Sequence, residues 1–285
     1  MTRSGARLRQ SSAQQVQEYY RTQASAEWTR LVKDPFHSEL EFGMTLRYLR
    51  EYLPRRGLIL DAGGGPGRYT VELARRGYRV DLLDLVPEEL ALARRQIRKA
   101  GVQDRVEAVL EGTLLDLSCF ADGSFDAVLC LGGPLSHLLE LPARKKAVRE
   151  LRRVAKRGAP LFVSVMGRLG VLEGYLAQYP EELETAPGDP KRILRTGDYL
   201  GGHGFTPCHF YEPDELDALL KGAGVRVLER VGLEGLATHR EQKFGRLFRT
   251  RKPALKEWMK IHEATHTHPA VVATSHHFLF VCRKE

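Results

Sequence analysis

Cysteine is scarce in this sequence, and long apolar runs are absent. The 285 residues include four cysteines, which lie far apart without a C-x-x-C pair, so neither a disulfide framework nor a cysteine zinc site is indicated. No apolar run approaches the roughly 20 residues that cross a bilayer. A polar segment follows the basic N-terminus where a signal peptide would need an apolar one. These absences predict a cytoplasmic protein that does not enter the membrane, and they leave its oligomeric state open.

Acidic residues are outnumbered, and the formal net charge is +8. The excess is concentrated between Arg240 and Lys260, where eight Lys or Arg residues stand against two acids. Such a patch suits an acidic small molecule or the phosphates of RNA, and it also occurs on an ordinary solvated helix face. The charge pattern by itself favours none of the three.

Strand-like and helix-like patterns alternate through the middle of the chain, without internal repeats. This alternation is typical of α/β folds with a parallel sheet. The apolar runs predict strands at 57–62, 78–85, 105–112, 124–133, 159–167, 225–235 and 276–285.

Helical segments are predicted to flank and interrupt the sheet. Amphipathic patterns indicate helices at 13–32 and 39–54. About forty residues precede the last strand, too many for a bare hairpin loop, and they contain helical patterns split by Pro253. The predicted organisation is an N-terminal cap of helices over 1–54 and a main domain over 55–285, with cap segments at about 166–207 and 236–273.

The stretch "LILDAGGGPGRYT" joins a buried strand to a helix through four glycines. Glycine at this place lets a ligand approach the backbone at the carboxyl edge of a sheet. The dinucleotide fingerprint G-x-G-x-x-G does not fit, because Arg68 occupies its last small position and Pro66 blocks a start one residue later. The spacing present is D-x-G-x-G-x-G, formed by Asp61, Gly63, Gly65 and Gly67.

This stretch resembles the first motif of the class I S-adenosylmethionine-dependent methyltransferases. The resemblance implies that the turn lies under the methionine and ribose parts of S-adenosylmethionine. It also implies that Asp61 orients the methionine end, which carries an ammonium group. A carboxylate is favourable near a sulfonium and an ammonium, whereas it would repel a pyrophosphate.

The next two strands carry further parts of the resemblance. The strand "VDLLDL" ends at Asp84, where the family has an acid that accepts hydrogen bonds from both ribose hydroxyls, and Leu85 would pack on the adenine. After the third strand the family commonly has an acid for the adenine amino group, but here Thr113 occupies that position. The hydroxyl of Thr113 can accept, and the backbone N–H of Leu114 could serve the ring.

The segment "FDAVLCLGGPLSHL" resembles the fourth motif, whose strand end passes beside the transferable methyl group. Leu131 and Gly132 are therefore expected to line the pocket. Four motifs in order imply a Rossmann-like fold with a doubly wound, mostly parallel, seven-stranded sheet and helical cap insertions. The wider pattern resembles a bacterial subgroup of small-molecule methyltransferases.

Methyl transfer from a sulfonium is an in-line displacement, so positioning and water exclusion can supply most of the catalysis. A base is needed only if the acceptor is protonated. His137, six residues beyond Leu131, is the candidate base, with helix capping or packing as its alternative role. Tyr20 lies on the first cap helix, where it could close over the cofactor or the acceptor, or simply belong to an amphipathic core face.

Two features could suggest other chemistry. "HEATH", at 262–266, matches the H-E-x-x-H pattern of zinc hydrolases. The spacing supplies no strong third ligand and Pro269 limits a helix, so we predict no metal site. Cys130 stands inside an apolar run, which favours a core thiol over a nucleophile.

These observations predict an enzyme that transfers a methyl group from S-adenosylmethionine to a small-molecule acceptor. The predicted cap segments can enclose a pocket, and no separate RNA-binding module is visible. Two alternatives remain. One is an RNA methyltransferase that uses the basic 240–260 segment, and the other is an S-adenosylmethionine-binding protein without turnover.

Overall fold

The computed structural model describes residues 11–202 and 204–285, so the first ten residues of the predicted N-terminal cap lie outside it. Within the described residues, seven strands form one sheet in the order β3-β2-β1-β4-β5-β7-β6. The first five strands run parallel, and β7 runs antiparallel to β5 and β6. The strands are β1 (Leu58–Ala62), β2 (Arg79–Asp84), β3 (Val106–Glu111), β4 (Ala127–Cys130), β5 (Pro160–Met166), β6 (Val225–Gly232) and β7 (His277–Lys284). The predicted doubly wound, mostly parallel sheet is confirmed.

The central strands are buried on both faces, as expected for parallel strands covered by helices. Every residue of β4 and β5 is buried, including Cys130, and burial raises the pKa of the Cys130 thiol to about 12. Neighbouring residues of β1 point to opposite faces. Leu60 joins the core layer that contains Phe280, whereas Ile59 joins the layer that contains Phe162. One apolar layer therefore packs on each face of the sheet.

Local signals explain several helix ends. Ser11 and Gln14 form a capping box at the first helix, and Pro87 opens a helix that ends at Gly101 in the left-handed conformation. The helices of the described residues are α1 (Ser12–Lys33), α2 (Gly43–Tyr52), α3 (Arg68–Arg75), α4 (Pro87–Ala100), α5 (Leu141–Val154), α6 (Arg168–Ala177), α7 (Glu182–Thr185), α8 (Gly188–Thr196), α9 (Pro213–Lys221), α10 (Glu241–Thr250), α11 (Lys252–Thr265) and α12 (Pro269–Thr274). None of them is long and apolar enough to span a bilayer.

The helix α1 lies across the carboxyl ends of the strands and contacts α4. The side-chain amide of Gln17 donates to the carbonyl of Leu85 at 2.9 Å. The guanidinium of Arg68 lies 3.5 Å from the centre of the Trp28 ring and donates to the Trp28 carbonyl. The predicted helix at 39–54 is a π-helical turn, His37–Phe42, that continues into α2. These contacts place α1 over the site edge of the sheet.

The other helical additions differ in how well the sequence predicted them. The helices α10 and α11 are divided next to Pro253, as expected, and their apolar residues Phe244 and Trp258 pack near Phe36. Between β5 and α9, the chain forms α6 to α8 and a two-stranded ribbon, Asp198–Tyr199 with Cys208–His209. The sequence predicted a cap segment at about 166–207 there without locating its individual helices. The division into a cap and a main domain stays a prediction.

Candidate active site

A cavity of about 320 Å³ lies between α1 and the carboxyl ends of β1 to β4. Its volume falls in the range of small-molecule sites. Ten of the twelve residues proposed from the sequence line it, and Asp61 and Gly67 do not. The ten are Tyr20, Gly63, Gly65, Asp84, Leu85, Thr113, Leu114, Leu131, Gly132 and His137.

The glycine turn forms one wall of the cavity. Gly63, Gly65 and Gly67 have φ of 75°, 53° and 79°, the left-handed region that glycine enters without strain. A Cβ at Gly63 would stand 2.5 Å from Cγ of Pro134, and one at Gly65 would collide with Oε2 of Glu89. Gly67 begins α3 rather than facing the cavity. The turn thus needs glycine for its conformation and for the space above it.

Asp84 is held in one orientation at the end of β2. Its Oδ2 accepts from the N–H of Gly65 at 2.7 Å, and its Oδ1 accepts from the N–H of Val86 at 2.9 Å. Burial raises the pKa of Asp84, and these backbone hydrogen bonds oppose that effect. Each carboxylate oxygen retains a further lone pair, so Asp84 can still accept from a ligand hydroxyl.

Asp61 lies beneath the turn and is completely buried. Its Oδ2 accepts from the hydroxyl of Thr70 at 2.7 Å, and its Oδ1 has no hydrogen-bond partner among the described residues. Burial raises the pKa of Asp61 to about 6. A contact between Asp61 and the ammonium group of a cofactor therefore stays a prediction, because Asp61 is not among the residues that line the cavity.

His137 and Tyr20 meet at the wall near Leu131. The hydroxyl oxygen of Tyr20 lies 3.1 Å from Nε2 of His137, and Oγ1 of Thr206 lies 3.0 Å from Nδ1. Burial lowers the pKa of His137 to about 4, so the imidazole is uncharged at neutral pH. The sequence did not single out Thr206, which lies between the two strands of the ribbon and is 69 positions from His137.

Arg30 is a cavity residue that the sequence interpretation missed. Its Nη2 would stand 4.0 Å from a Cβ at Gly132. Glu41 accepts from Nη1 and Nη2 at 2.6 and 3.0 Å, and Glu27 accepts from Nε at 3.1 Å. A bidentate pair of this kind fixes the guanidinium plane. In the sequence Arg30 is one of many charges on an amphipathic helix, and so no local signal distinguishes it.

Behind Arg30, a buried charged network continues toward β7. Nδ1 of His277 lies 2.8 Å from Oε1 of Glu234, and the backbone N–H of His277 donates to Oε2 at 2.7 Å. The carboxylates of Glu41 and Glu234 raise the pKa of His277, although burial acts in the opposite direction. His277 thus interacts electrostatically with Glu41, the carboxylate that binds Arg30.

The H-E-x-x-H segment does not have the arrangement of a zinc hydrolase. Nε2 of His266 lies 2.7 Å from the hydroxyl of Tyr48, and its Nδ1 lies 3.1 Å from the carbonyl of His262. Both ring nitrogens of His266 are therefore occupied. Glu263, the would-be base, is exposed and lies 3.4 Å from Arg47. The donor set does not fit a catalytic metal.

Comparisons with known proteins agree with this geometry. A family described as a methyltransferase domain matches residues 59–158. A glycine/sarcosine N-methyltransferase from Parasynechococcus marenigrum is 30% identical over 55% of this chain and 54% of its own length. A ubiquinone biosynthesis O-methyltransferase from Xanthomonas axonopodis is 30% identical over 63% of this chain and 67% of its own length. The chain thus spans about half the length of the first relative and two thirds of the second.

Solved structures show the same fold. A methyltransferase from Methanosarcina mazei superposes with a TM-score of 0.57 at 22% identity, over 83% of this chain and 96% of that one.

Proposed function

The chain belongs to the class I S-adenosylmethionine-dependent methyltransferases, and we propose that it methylates a small molecule whose nucleophilic atom carries a proton. The observation that carries this proposal is the uncharged His137 beside Tyr20, at the cavity wall formed by Leu131 and Gly132. A neutral imidazole at this place can accept a proton through Tyr20, and the same burial that keeps it neutral makes it a weaker base than a free histidine.

The cavity residues fit the parts of S-adenosylmethionine. Asp84 would hold the ribose, and Leu85, Thr113 and Leu114 would surround the adenine. Arg30 would pair with the carboxylate of the methionine end, because it is the cation beside Gly132 and its guanidinium is already oriented by Glu41. When bound, the cofactor supplies a methyl group on a cationic sulfur.

His137 and Tyr20 would manage the acceptor's proton. The acceptor atom would take the methyl group that the bound cofactor supplies, the sulfur would keep the electron pair of the former carbon–sulfur bond, and the acceptor atom would then release its proton. The acceptor proton passes to the oxygen of Tyr20, which in turn gives its own proton to Nε2 of His137. Thr206 would hold the ring through Nδ1. The helix α1 forms one wall of the cavity and would limit the access of water to it.

The size of the site favours a small acceptor over a nucleic acid. A cavity of about 320 Å³ beside α1 lies in the range of small-molecule sites. The related proteins include one N-methyltransferase and one O-methyltransferase by name, and amine and hydroxyl acceptors both carry a proton on the attacking atom. The class we propose is therefore an amine or hydroxyl compound.

A screen with methyl-labelled S-adenosylmethionine tests the proposal. Purified protein is incubated with cell extract, and label is followed in the small-molecule and RNA fractions. We expect label in the small-molecule fraction, and none when His137 is replaced by alanine.

Methylation of RNA is the competing outcome, because the eight Lys and Arg residues of the 240–260 segment are all exposed. Label in RNA, with binding that falls steeply as salt rises, would favour it.

A further inference from the structure

Glu89 is a buried carboxyl group without a partner in the wall of the cavity. It lies in the first turn of α4 with 3% of its surface exposed. Its Oε1 has no hydrogen-bond partner within the described residues, and its Oε2 lies directly over Gly65. An unsatisfied buried polar group is costly, so a protein retains one where a ligand completes its hydrogen bonds.

Nearby cations do not neutralise Glu89. Arg30 is engaged by Glu27 and Glu41, and Arg68 is stacked on Trp28. The salt bridges of the described residues include none to Glu89. An ion pair, the usual reason for burying a carboxyl group, therefore does not explain the position of Glu89.

Gly65 links Glu89 to Asp84. The backbone N–H of Gly65 donates to Oδ2 of Asp84, and the carboxyl group of Glu89 covers the same glycine from the side of α4. Two carboxyl groups thus flank one short stretch of backbone in the cavity. We propose that Glu89 binds one of the two neighbouring ribose hydroxyls of the methyl donor while Asp84 binds the other.

The charges around the pair give the two acids different hydrogen-bonding roles. Burial raises the pKa of Glu89 to about 9, and the carboxylates of Asp84 and Glu27 act in the same direction. Tyr20 faces the same carboxyl group from α1. At neutral pH Glu89 is therefore protonated and can donate a hydrogen bond, whereas Asp84, whose two oxygens both accept from backbone N–H groups, is placed as an acceptor. A diol, whose oxygens both donate and accept, is complementary to this arrangement.

The proposal rests on the cofactor site of the proposed function, and binding measurements test the two separately. Isothermal titration would compare S-adenosylhomocysteine with its 2′-deoxy and 3′-deoxy analogues, in wild type, Glu89→Met and Glu89→Gln. Glu88→Met is the matched control, because Glu88 is exposed on the same turn. Thermal unfolding would verify that each variant is folded.

We expect Glu89→Met to weaken binding of S-adenosylhomocysteine about tenfold, the value of one hydrogen bond, while Glu89→Gln stays within about threefold and Glu88→Met is unchanged. One deoxy analogue should bind Glu89→Met as well as the parent compound does. The proposal is overturned if, in Glu89→Met, each deoxy analogue binds more weakly than S-adenosylhomocysteine by the same factor as in wild type. It is also overturned if wild type binds both analogues as tightly as the parent, a result that needs no variant to fold and leaves the proposed methyl transfer intact.

Discussion

The hydroxyl oxygen of Tyr20 lies 3.1 Å from Nε2 of His137, although 117 positions separate the two residues. Tyr20 comes from α1, which crosses the sheet edge, and His137 ends the turn that follows β4. Thr206 occupies the other ring nitrogen from a third segment. Three parts of the chain therefore orient one uncharged imidazole beside the expected position of the methyl group.

Removing the imidazole should slow turnover without loss of cofactor. We expect His137→Ala to lower kcat by about a hundredfold or more, the usual contribution of a general base. Tyr20→Phe should lower kcat less, because His137 keeps its imidazole and its contact with Thr206. The affinity for S-adenosylmethionine should change little in either variant.

Steady-state kinetics over the full pH range measures this effect. Tyr179→Phe, an exposed tyrosine of the same chain, is the control and should behave as wild type. Normal turnover of His137→Ala at every pH would remove His137 from the mechanism.

The acid limb of kcat should lie well below the ordinary pKa of histidine. His137 acts as a base only when uncharged, and burial lowers its pKa to about 4. Activity should therefore persist at pH 5 to 6 and decline as the pH falls toward 4. The free energy of unfolding should change with pH in the same direction, because the pKa of His137 is lower in the folded protein than in the unfolded chain. The contribution of the neutral His137 to stability is complete above the unfolded pKa of about 6.5 and is lost as the pH falls through the folded pKa. A kcat profile with its acid limb at 6.5 would contradict this assignment.

Asp84→Ala should abolish or greatly weaken binding of S-adenosylmethionine while the fold remains intact. The carboxylate is oriented by Gly65 and Val86, and its loss removes the charged acceptor for the ribose. We expect at least a tenfold loss of affinity, in line with a hydrogen bond to a charged group. Glu111→Ala changes an exposed acid at the end of the neighbouring strand and should bind normally. Equal affinity of wild type and Asp84→Ala in a titration would overturn the cofactor assignment.

Arg30→Met should weaken binding of S-adenosylmethionine about tenfold or more, because it removes the cation proposed for the cofactor carboxylate. Binding of decarboxylated S-adenosylmethionine, which lacks that carboxylate, should change far less. The substitution also leaves Glu41 buried without its partner, so we expect a loss of stability of about 3 kcal/mol.

The double variant Arg30→Met with Glu41→Gln separates the two effects of this substitution. It should recover much of the stability in thermal or denaturant unfolding but none of the affinity. Equal loss of affinity for both forms of the cofactor would place Arg30 in a structural role only.

Much of the fold could be predicted because its signals are local. The apolar runs of β1, β4 and β5 and the helix ends at Pro87 and Gly101 depend on neighbouring residues in the chain. Within the predicted cap segment at about 166–207, the individual helices were not located. In α6 the amphipathic period is weak, and its Leu176 is exposed, while α7 has only four residues.

The order of the site residues along the chain could be read from the sequence alone: an acid, a glycine turn, a second acid at Asp84, and the turn that carries His137. These features follow from short-range sterics and from motif spacing, and ten of the twelve proposed residues do line the cavity. The partners of those residues became visible only in the folded protein. Arg30, Glu89 and Thr206 reach the site because α1, α4 and the ribbon converge on one edge of the sheet. Such contacts depend on packing between distant segments, and no local pattern encodes which polar side chain will be buried there without a partner.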